Sequence, residues 1–473
     1  MSRKALIVSV LSVFLIPVVA FAQNTCASTG TQAKLICLVP QLYGPNGFQV
    51  LKGSGPAQLV NSFGNLNVIP SLNSAIAGQA VLLPLASPSS GITYSWDPIS
   101  KTFSPSTDSF GPIYGERAET IGKGRVFLGA SYQFLRFSRL DGTDLKSLPQ
   151  VFTQPDTDLG FDNRTCSIDG DNTTDCAFIR DVVTVSNRID FKVQQVVAFL
   201  TYGLTDRIDL SAAIPIETVK MSLFSLATIV NNSNSEIHAF DTRPDCGSVA
   251  KNGNCLDQPF SASGSASGIG DITVRAKATA WKGERAALAL GADVRIPTGD
   301  SLNFLGSGTV GVQPFVVWSY RSRVSPHLGA GFQFNGKSRV LGDLAAGSSA
   351  RLPNEFVYSA GADFWINKRF TVAADLVGQT TFQSERLLAT KFTEPGACTV
   401  DYPTCTDPGT VATPAVAPAV AQATGNINVL NVSVGFKAKL VSNLLFIGNA
   451  VFKVNDAGLR SKVVPMAEIS YTF

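Results

Sequence analysis

"RAALALGADVRIP", residues 285–297, alternates along its length: Leu288, Leu290, Ala292, Val294 and Ile296 fall on one side, and Ala289, Gly291, Asp293 and Arg295 on the other. Successive side chains of a strand point to opposite faces, so a period of two reads as a β-strand with one face in apolar surroundings. "GDITVRAKATA", 270–280, repeats the pattern, with Ile272, Val274, Ala276 and Ala278 opposed to Asp271, Thr273, Arg275, Lys277 and Thr279. So does "KVVPMAEISYTF", 462–473, where Val463, Pro465, Ala467, Ile469, Tyr471 and Phe473 share a face. In a soluble sandwich the charged faces would be outside. In a membrane barrel the apolar faces meet lipid and the charged faces line the lumen.

From Gly124 onward such strands are joined by very short polar turns on one side, around Thr205-Asp206-Arg207, Lys282–Arg285, Arg321-Ser322-Arg323, Asn367-Lys368-Arg369 and Val441-Ser442-Asn443. On the other side the connections are mostly longer: about 141–187, 220–268, 298–307, 337–354 and 385–425, with Asn455–Gly458 short. This predicts twelve strands, starting near Val126, Val196, Ile208, Ile272, Leu288, Val310, Leu328, Phe356, Phe370, Leu430, Leu444 and Val463. An even strand count with short turns on one side is the pattern of an outer-membrane barrel, and closure removes the two exposed edges of an open sheet. Tyr202, Trp318, Tyr320, Phe364, Phe370, Tyr471 and Phe473 all fall at short-turn ends. There they suit an interfacial aromatic girdle and decide for lipid over water. Asp190, Lys192 and Gln194 share a face with Val196, Leu200 and Tyr202. Charge on a lipid face costs roughly 2–4 kcal/mol at the midplane. The bilayer is therefore expected to begin near Gln195, with the strand continuing above it or bulged.

Residues 1–22, with Arg3 and Lys4 before an apolar run and Ala20-Phe21-Ala22 after it, read as a secretory signal peptide. No other apolar run reaches the roughly 18 residues a membrane helix needs. Without Arg3 and Lys4 the 38 basic residues become 36, against 35 acidic ones. That near-balance gives no argument for nucleic acid. Eight cysteines form four close pairs: Cys26 with Cys37, Cys166 with Cys176, Cys246 with Cys255, and Cys398 with Cys405. In an exported chain these read as disulfides, each closing a loop and contributing roughly 2–3 kcal/mol. The last three pairs are expected on the long-loop side. Residues 23–123 are rich in Gly, Pro, Ser and Asn and lack sustained alternation; "LNSAIAGQAVLLPLASPSSG", 72–91, suits one short helix. The segment is either a periplasmic extension or a plug in the lumen of a barrel spanning 124–473.

The lumen set by alternation includes Asp209, Asp271, Arg275, Lys277, Asp293, Arg295, Gln313, His327, Asp363, Asp375 and Glu468, with Gln133, Gln379, Lys437 and Lys453. Mixed signs on adjacent strands read either as self-satisfying filler or as a polar constriction that selects. A turn centred on Glu284 would set Arg275 directly opposite Asp293. No metal site or cofactor is expected. The loop of Asp169, Asp171 and Asp175 lacks the rest of a calcium-binding EF-hand and reads as a solvated turn. The glycine-rich "SASGSASGIG", 261–270, reads as a flexible loop base, with no helix after it to make a phosphate cradle. A phospholipase barrel needs a histidine beside a serine nucleophile. Neither His238 nor His327 stands in a His-x-Ser pair, so an enzyme is not expected.

"SFGPIYGERAETIGKGRVFLGASYQF", "YGLTDRIDLSAAIPI", "GIGDITVRAKATAWKG", "ALALGADVRIPTGD", "LGSGTVGVQPFVVWS", "VSPHLGAGFQFNG" and "VNDAGLRSKVVPMAEISYTF" resemble the outer-membrane transporters of the MetA-pathway phenol-degradation family. The resemblance runs over roughly 90–473 and is densest at the GD-x-x-x-R-x-K strand and the R-x-P-T-G-D corner. It implies an outer-membrane barrel in a diderm bacterium that takes up aromatic or other hydrophobic compounds. The cysteine-bearing loops depart from it. The expected function is passive passage of small hydrophobic or aromatic molecules. The alternative is a non-transporting surface protein with structural or adhesive loops. Expected partners are outer-membrane lipid, an unidentified small solute, and the barrel-assembly machinery, which would recognise the strand ending at Phe473.

Overall fold

The computed structural model describes residues 34–43, 50–52, 59–60, 68–80, 94–97, 102–105, 109–153, 182–230, 238–241, 250–251, 254–342, 348–393, 416–441 and 443–473. The signal-peptide residues, the Asp169–Asp175 loop and the side chain of His238 lie outside these. So do six of the eight cysteines expected to pair: Cys26, Cys166, Cys176, Cys246, Cys398 and Cys405. The expected bridges Cys166 to Cys176 and Cys398 to Cys405 therefore fall wholly outside the described residues, and the other two pairs have one described member each, Cys37 and Cys255. Among the described residues one α-helix, α1 (Val68–Ala80), precedes the barrel.

Twelve strands form the wall: β1 (Val126–Leu140), β2 (Val182–Thr205), β3 (Ile208–Val230), β4 (Asp257–Ile269 continued by Ile272–Lys282), β5 (Ala286–Ile296), β6 (Gly311–Tyr320), β7 (Val324–Asn335), β8 (Glu355–Asn367), β9 (Phe370–Thr393), β10 (Val416–Val441), β11 (Leu444–Lys453) and β12 (Val463–Thr472). Each pairs antiparallel with the next, and β12 pairs with β1 from Phe127↔Thr472 to Gln133↔Met466. The antiparallel barrel is therefore closed, and its backbone polar groups are satisfied without an open edge.

The outer surface is apolar through the middle: Leu200, Leu210, Val274, Leu290, Val316, Leu328, Leu376, Val434 and Ile469 are all exposed. At the short-turn end lie Tyr202, Trp281, the stacked Trp318–Tyr320 and Phe370–Phe436 pairs, and Tyr471 against Phe473. At the opposite end Phe332 packs on Phe334 and Phe382, and Phe356 on Tyr358. Two aromatic girdles flanking an apolar band place the barrel in an outer membrane.

The strand starts and long connections require correction. β2 begins at Val182, β3 runs to Val230, β9 to Thr393, and β10 begins at Val416, so strand extends into the expected loops 141–187, 220–268 and 385–425 from their ends. A membrane-spanning strand needs about 9–11 residues. At 24, 23, 24 and 26 residues, β2, β3, β9 and β10 project well beyond the bilayer. There the outward face meets water, so the lipid-face signature fades while hydrogen-bonded pairing continues. "SASGSASGIG" is the clearest case. It is no loop base: Ser261–Ile269 pair residue by residue with Phe224–Ile216 on β3, serines outward. β2 likewise runs past Gln195 toward Val182 in unbroken register with β3, without a bulge there.

Candidate functional site

The inward faces of these strands carry the charges, and alternation explains why. A residue two places along returns to the same face, so Arg275 and Lys277, Asp293 and Arg295, or Asp363 with His327 across the hairpin, converge on the interior. Asp209, Asp271, Lys277, Asp293, His327, Asp363, Asp375 and Glu468 are buried, and Arg275, Arg295 and Gln313 are partly buried.

Arg275 stands opposite Asp293 in the β4–β5 register and binds it through two N–H groups, Nε to Oδ1 at 2.6 Å and Nη2 to Oδ2 at 2.7 Å. The hairpin reaches this register through a shift between Thr279 and Trp281, which brings the pairing centre to Glu284. Asp271 sits at the break in β4. Its carboxylate accepts from the amides of Gly299 (3.1 Å) and Ser307 (2.7 Å) and from the Ser307 hydroxyl. Thr298 Oγ1 donates to the Gly270 carbonyl (2.6 Å) and accepts from the Ile272 amide (3.0 Å). The GD and R-x-P-T-G-D motifs are thus two halves of one clamp that holds the β4 break against the β5–β6 connection. Arg295 donates to Asn335 Oδ1 at 2.7 Å and stands 3.7 Å from Asp271. His327 Nε2 lies 2.6 Å from Asp375, with Asp363 3.7 Å from its other ring nitrogen. Glu468 is buried within electrostatic reach of Lys437 and Tyr114.

The missed participants lie in residues 109–123. Glu116 accepts from Arg275 Nη1 at 2.5 Å and from Lys277 Nζ at 2.8 Å. Lys277 also donates to the carbonyls of Arg117 and Glu119, both at 3.0 Å. Arg117 pairs with Asp363 at 3.1 Å, and Ser109 donates to the same carboxylate. Glu119 accepts from Ser319 Oγ at 2.8 Å and faces Arg321 at 3.4 Å. The Ile121 amide donates to Asp209 (3.0 Å), the Tyr114 amide to Asp375 (3.3 Å) and the Tyr114 hydroxyl to Gln133 (3.0 Å); Lys437 donates to the Phe110 carbonyl (3.2 Å). Buried charges are tolerated when paired and hydrogen-bonded, and here strand and segment complete each other. The sequence signal was present: Glu116, Arg117 and Glu119 put three charges within four residues of an otherwise charge-poor N-terminal region.

Toward the long-loop end the interior changes character. Leu35, Ile36, Leu38 and Val39, together with Leu72, Ala75 and Ile76 of α1, pack against Phe137, Phe191, Phe304, Leu387, Val420 and Leu459. Against the hydrogen-bonded segment lies a cavity of about 270 Å³, lined by Glu116, Arg275, Arg295, Phe315, Val357 and Gln379 among others. The Arg275 guanidinium lies over the Phe315 ring, 4.7 Å from its centre. A second cavity of about 110 Å³ continues toward Gln79, Ile427 and Leu459, and shares Tyr114, Glu355 and Gln379 with the first.

No curated protein sequence matches the chain. Among solved structures it is similar to an outer membrane channel from Pseudomonas putida F1, at 11% identity over 75% of this chain and 98% of that one, with a TM-score of 0.44. It is also similar to the toluene transporter TodX of P. putida (8% identity, 74% of this chain and 89% of that one, TM-score 0.31). A FadL homologue of Pseudomonas aeruginosa is comparable (8%, 74% and 90%, TM-score 0.30). Residues 247–389, from the approach to β4 into β9, match the model of the family described as "Putative MetA-pathway of phenol degradation". The molecule is a closed twelve-stranded transmembrane β-barrel, and its resemblance to that phenol-degradation family holds across the wall from β4 into β9.

Proposed function

We propose that the chain is an outer-membrane channel through which small hydrophobic or aromatic molecules pass passively. The observation that carries this reading is the chamber of about 270 Å³ inside a closed barrel, bounded by the hydrogen-bonded segment at Tyr114 and Glu116 and continued by a second cavity that reaches the apolar layer at Phe137 and Leu459. Its size suits a single-ring solute, and its mix of Phe315 and Val357 with Arg275 and Gln379 suits a ring bearing a polar substituent. A purely adhesive barrel has no use for such a chamber.

In this reading, residues 1–22 are the signal peptide, 23–123 end as a plug, and 124–473 form the channel. Asp209, Asp271, Arg275, Lys277, Asp293, Arg295, Gln313, His327, Asp363, Asp375 and Glu468 line it. Arg275, Lys277, Asp209, Asp363 and Asp375 hold the plug in place, and passage follows its displacement. In this reading the chain is a transporter and not an enzyme; among the described residues the His327 ring is engaged by Asp375 and faces Asp363. The four nearest-neighbour cysteine pairs, Cys26 with Cys37, Cys166 with Cys176, Cys246 with Cys255, and Cys398 with Cys405, close as disulfides. Cys37 and Cys255 are buried and neither carries a free thiol, which supports the two pairings that involve them. The strand ending at Phe473 is the segment the assembly machinery would recognise.

The test is uptake of labelled phenol and of labelled glucose by cells with and without the protein, paired with single-channel conductance in planar bilayers. Phenol entry should rise with the protein while glucose entry does not, and conductance should be small. Equal phenol entry in both strains, or glucose entry matching phenol, would refute the reading.

A further inference from the structure

The outward faces of β1, β2 and β3 carry a feature the channel does not use. Arg136, Lys192 and Lys220 stand directly opposite one another across three neighbouring strands, and Ser265 of β4 continues the row. Like charges in facing positions of adjacent strands repel. Asp190, paired with Arg136 at 3.3 Å and with Lys192 at 2.6 Å, offsets one of the three. The row is left with a surplus of two positive charges on a face turned away from the lumen. The Arg136 side chain is 55% exposed and Lys220 is exposed.

The level of the row matters. The last wholly apolar row below it is Tyr132, Val196, Ile216 and Ile269, and between them lies the mostly polar row of Phe134, Gln194, Thr218 and Ser267. Arg136 is four residues above Tyr132. At roughly 3.3 Å per residue and a strand tilt of about 40°, that is about 10 Å beyond the hydrocarbon edge. This is the headgroup layer, and the long stems of Arg and Lys let their charges bend back toward it. Hydroxyls flank the cations: Ser263 and Ser265 are exposed, and Thr218 and Ser267 bond each other at 2.9 Å. Cations for phosphate, with hydroxyls beside them for sugar, on a wall facing the outer leaflet, specify a phosphorylated saccharide.

We propose that Arg136, Lys192 and Lys220, with Ser265, bind the phosphorylated diglucosamine headgroup of an outer-leaflet glycolipid. This rests on the long-loop end facing outward in an outer membrane. Fractionation of cells expressing the unaltered chain is therefore scored separately, so that a wrong membrane is not read as a wrong headgroup.

The experiment is native mass spectrometry of the full-length barrel with titrated di-phosphorylated lipid A, its phosphate-free counterpart, or inorganic phosphate. It is run on the unaltered protein and on the Arg136→Gln, Lys192→Gln, Lys220→Gln triple variant, each checked for heat-resistant gel migration. Each basic residue near a lipid surface is worth about fivefold, so the triple variant should bind the phosphorylated lipid about a hundredfold more weakly. Replacement by Lys192→Arg and Lys220→Arg should preserve binding. If the triple variant does not fold, Lys220→Gln alone should weaken binding about fivefold. Equal binding by unaltered and substituted barrels, equal binding of the phosphate-free lipid, or binding of inorganic phosphate without the lipid would overturn the proposal.

Discussion

Glu116 is the carboxylate on which the floor of the chamber turns, and Glu116→Gln tests it directly. The wild-type side chain receives two charge-assisted hydrogen bonds, from Arg275 at 2.5 Å and Lys277 at 2.8 Å. Removing one partner of a buried ionic group costs about 3–5 kcal/mol, because the remaining charge is left uncompensated. Here the lower end applies. Arg275 keeps its two bonds to Asp293, and Lys277 keeps the Arg117 and Glu119 carbonyls, with Asp209 at 4.0 Å. A loss of about 3 kcal/mol corresponds to slightly more than a hundredfold in an equilibrium constant. If residues 109–121 open as a unit, the amides of Ala118 and Ile121, bound to Ser319 and Asp209, report that equilibrium. Their hydrogen-exchange protection should fall about a hundredfold in Glu116→Gln, while amides of the β5–β6 pairing stay protected. Mean conductance should rise in parallel. Lys123→Gln, at an exposed side chain, should change neither. Unchanged protection at Ala118 and Ile121 would show that the Glu116 bonds do not hold the segment, and loss of protection throughout the wall would show that they hold the barrel instead.

Arg275→Ala should lower the heat resistance of the folded barrel on gels by an amount in the range of about 3–5 kcal/mol, and adding Asp293→Ala should recover part of it; no recovery would mean the pair is not coupled. A methyl group at Gly203 would meet the Gly122 carbonyl oxygen at 1.8 Å. Gly203→Ala should therefore disrupt the bonds that Gly203 makes with Gly124 and Arg125, exposing residues 122–125 to protease from the short-turn side; wild-type resistance would refute this. Burial raises the Tyr43 phenol to about 12, while a free tyrosine ionises near 10. The packing of its neutral form is thus fully present below pH 10 and is lost as the pH climbs toward 12. A tyrosinate absorbance titration of wild type minus Tyr43→Phe should show a midpoint near 12, and a midpoint near 10 would contradict the burial.

Alternation, short turns and terminal aromatics make the strand number and the closed wall readable, because lipid enforces a two-faced pattern on every spanning strand. The Arg275–Asp293 register was readable too, since like charges at Arg275 and Arg295 disfavoured one alternative. Outside the bilayer that enforcement stops. Ser261–Ile269 has alternation without apolarity, and its strand character resides in pairing with β3 that composition does not reveal. Glu355 and Glu217 are buried within the barrel but fall outside the clear alternation: Glu355 sits one residue before the expected start of β8, and Glu217 near the expected end of β3. Least legible was the floor of the chamber. Residues 109–121 have no regular strand or helix, so no period announces which side chains converge. Only their complementarity to charges hundreds of positions away explains where they lie.

The seam between β1 and β12 also bears on the order of assembly. The segment bonded to Asp209, Lys277, Ser319, Asp363 and Lys437 leads within a few residues into β1. The wall around it is complete only when Met466–Thr472 reach Gln133–Phe127 and the Phe473 amide meets the Val126 carbonyl. A chain that closed its seam first would have to thread a charged loop into a narrow, already sealed cylinder. An open sheet offers residues 109–121 an unobstructed route to this position, where one carboxylate, Glu116, bonds Arg275 and Lys277 of β4, and one guanidinium, Arg117, pairs with Asp363 of β8. A segment already held by β4 and β8 in that open sheet would serve as a mandrel about which the rest of the wall is wound.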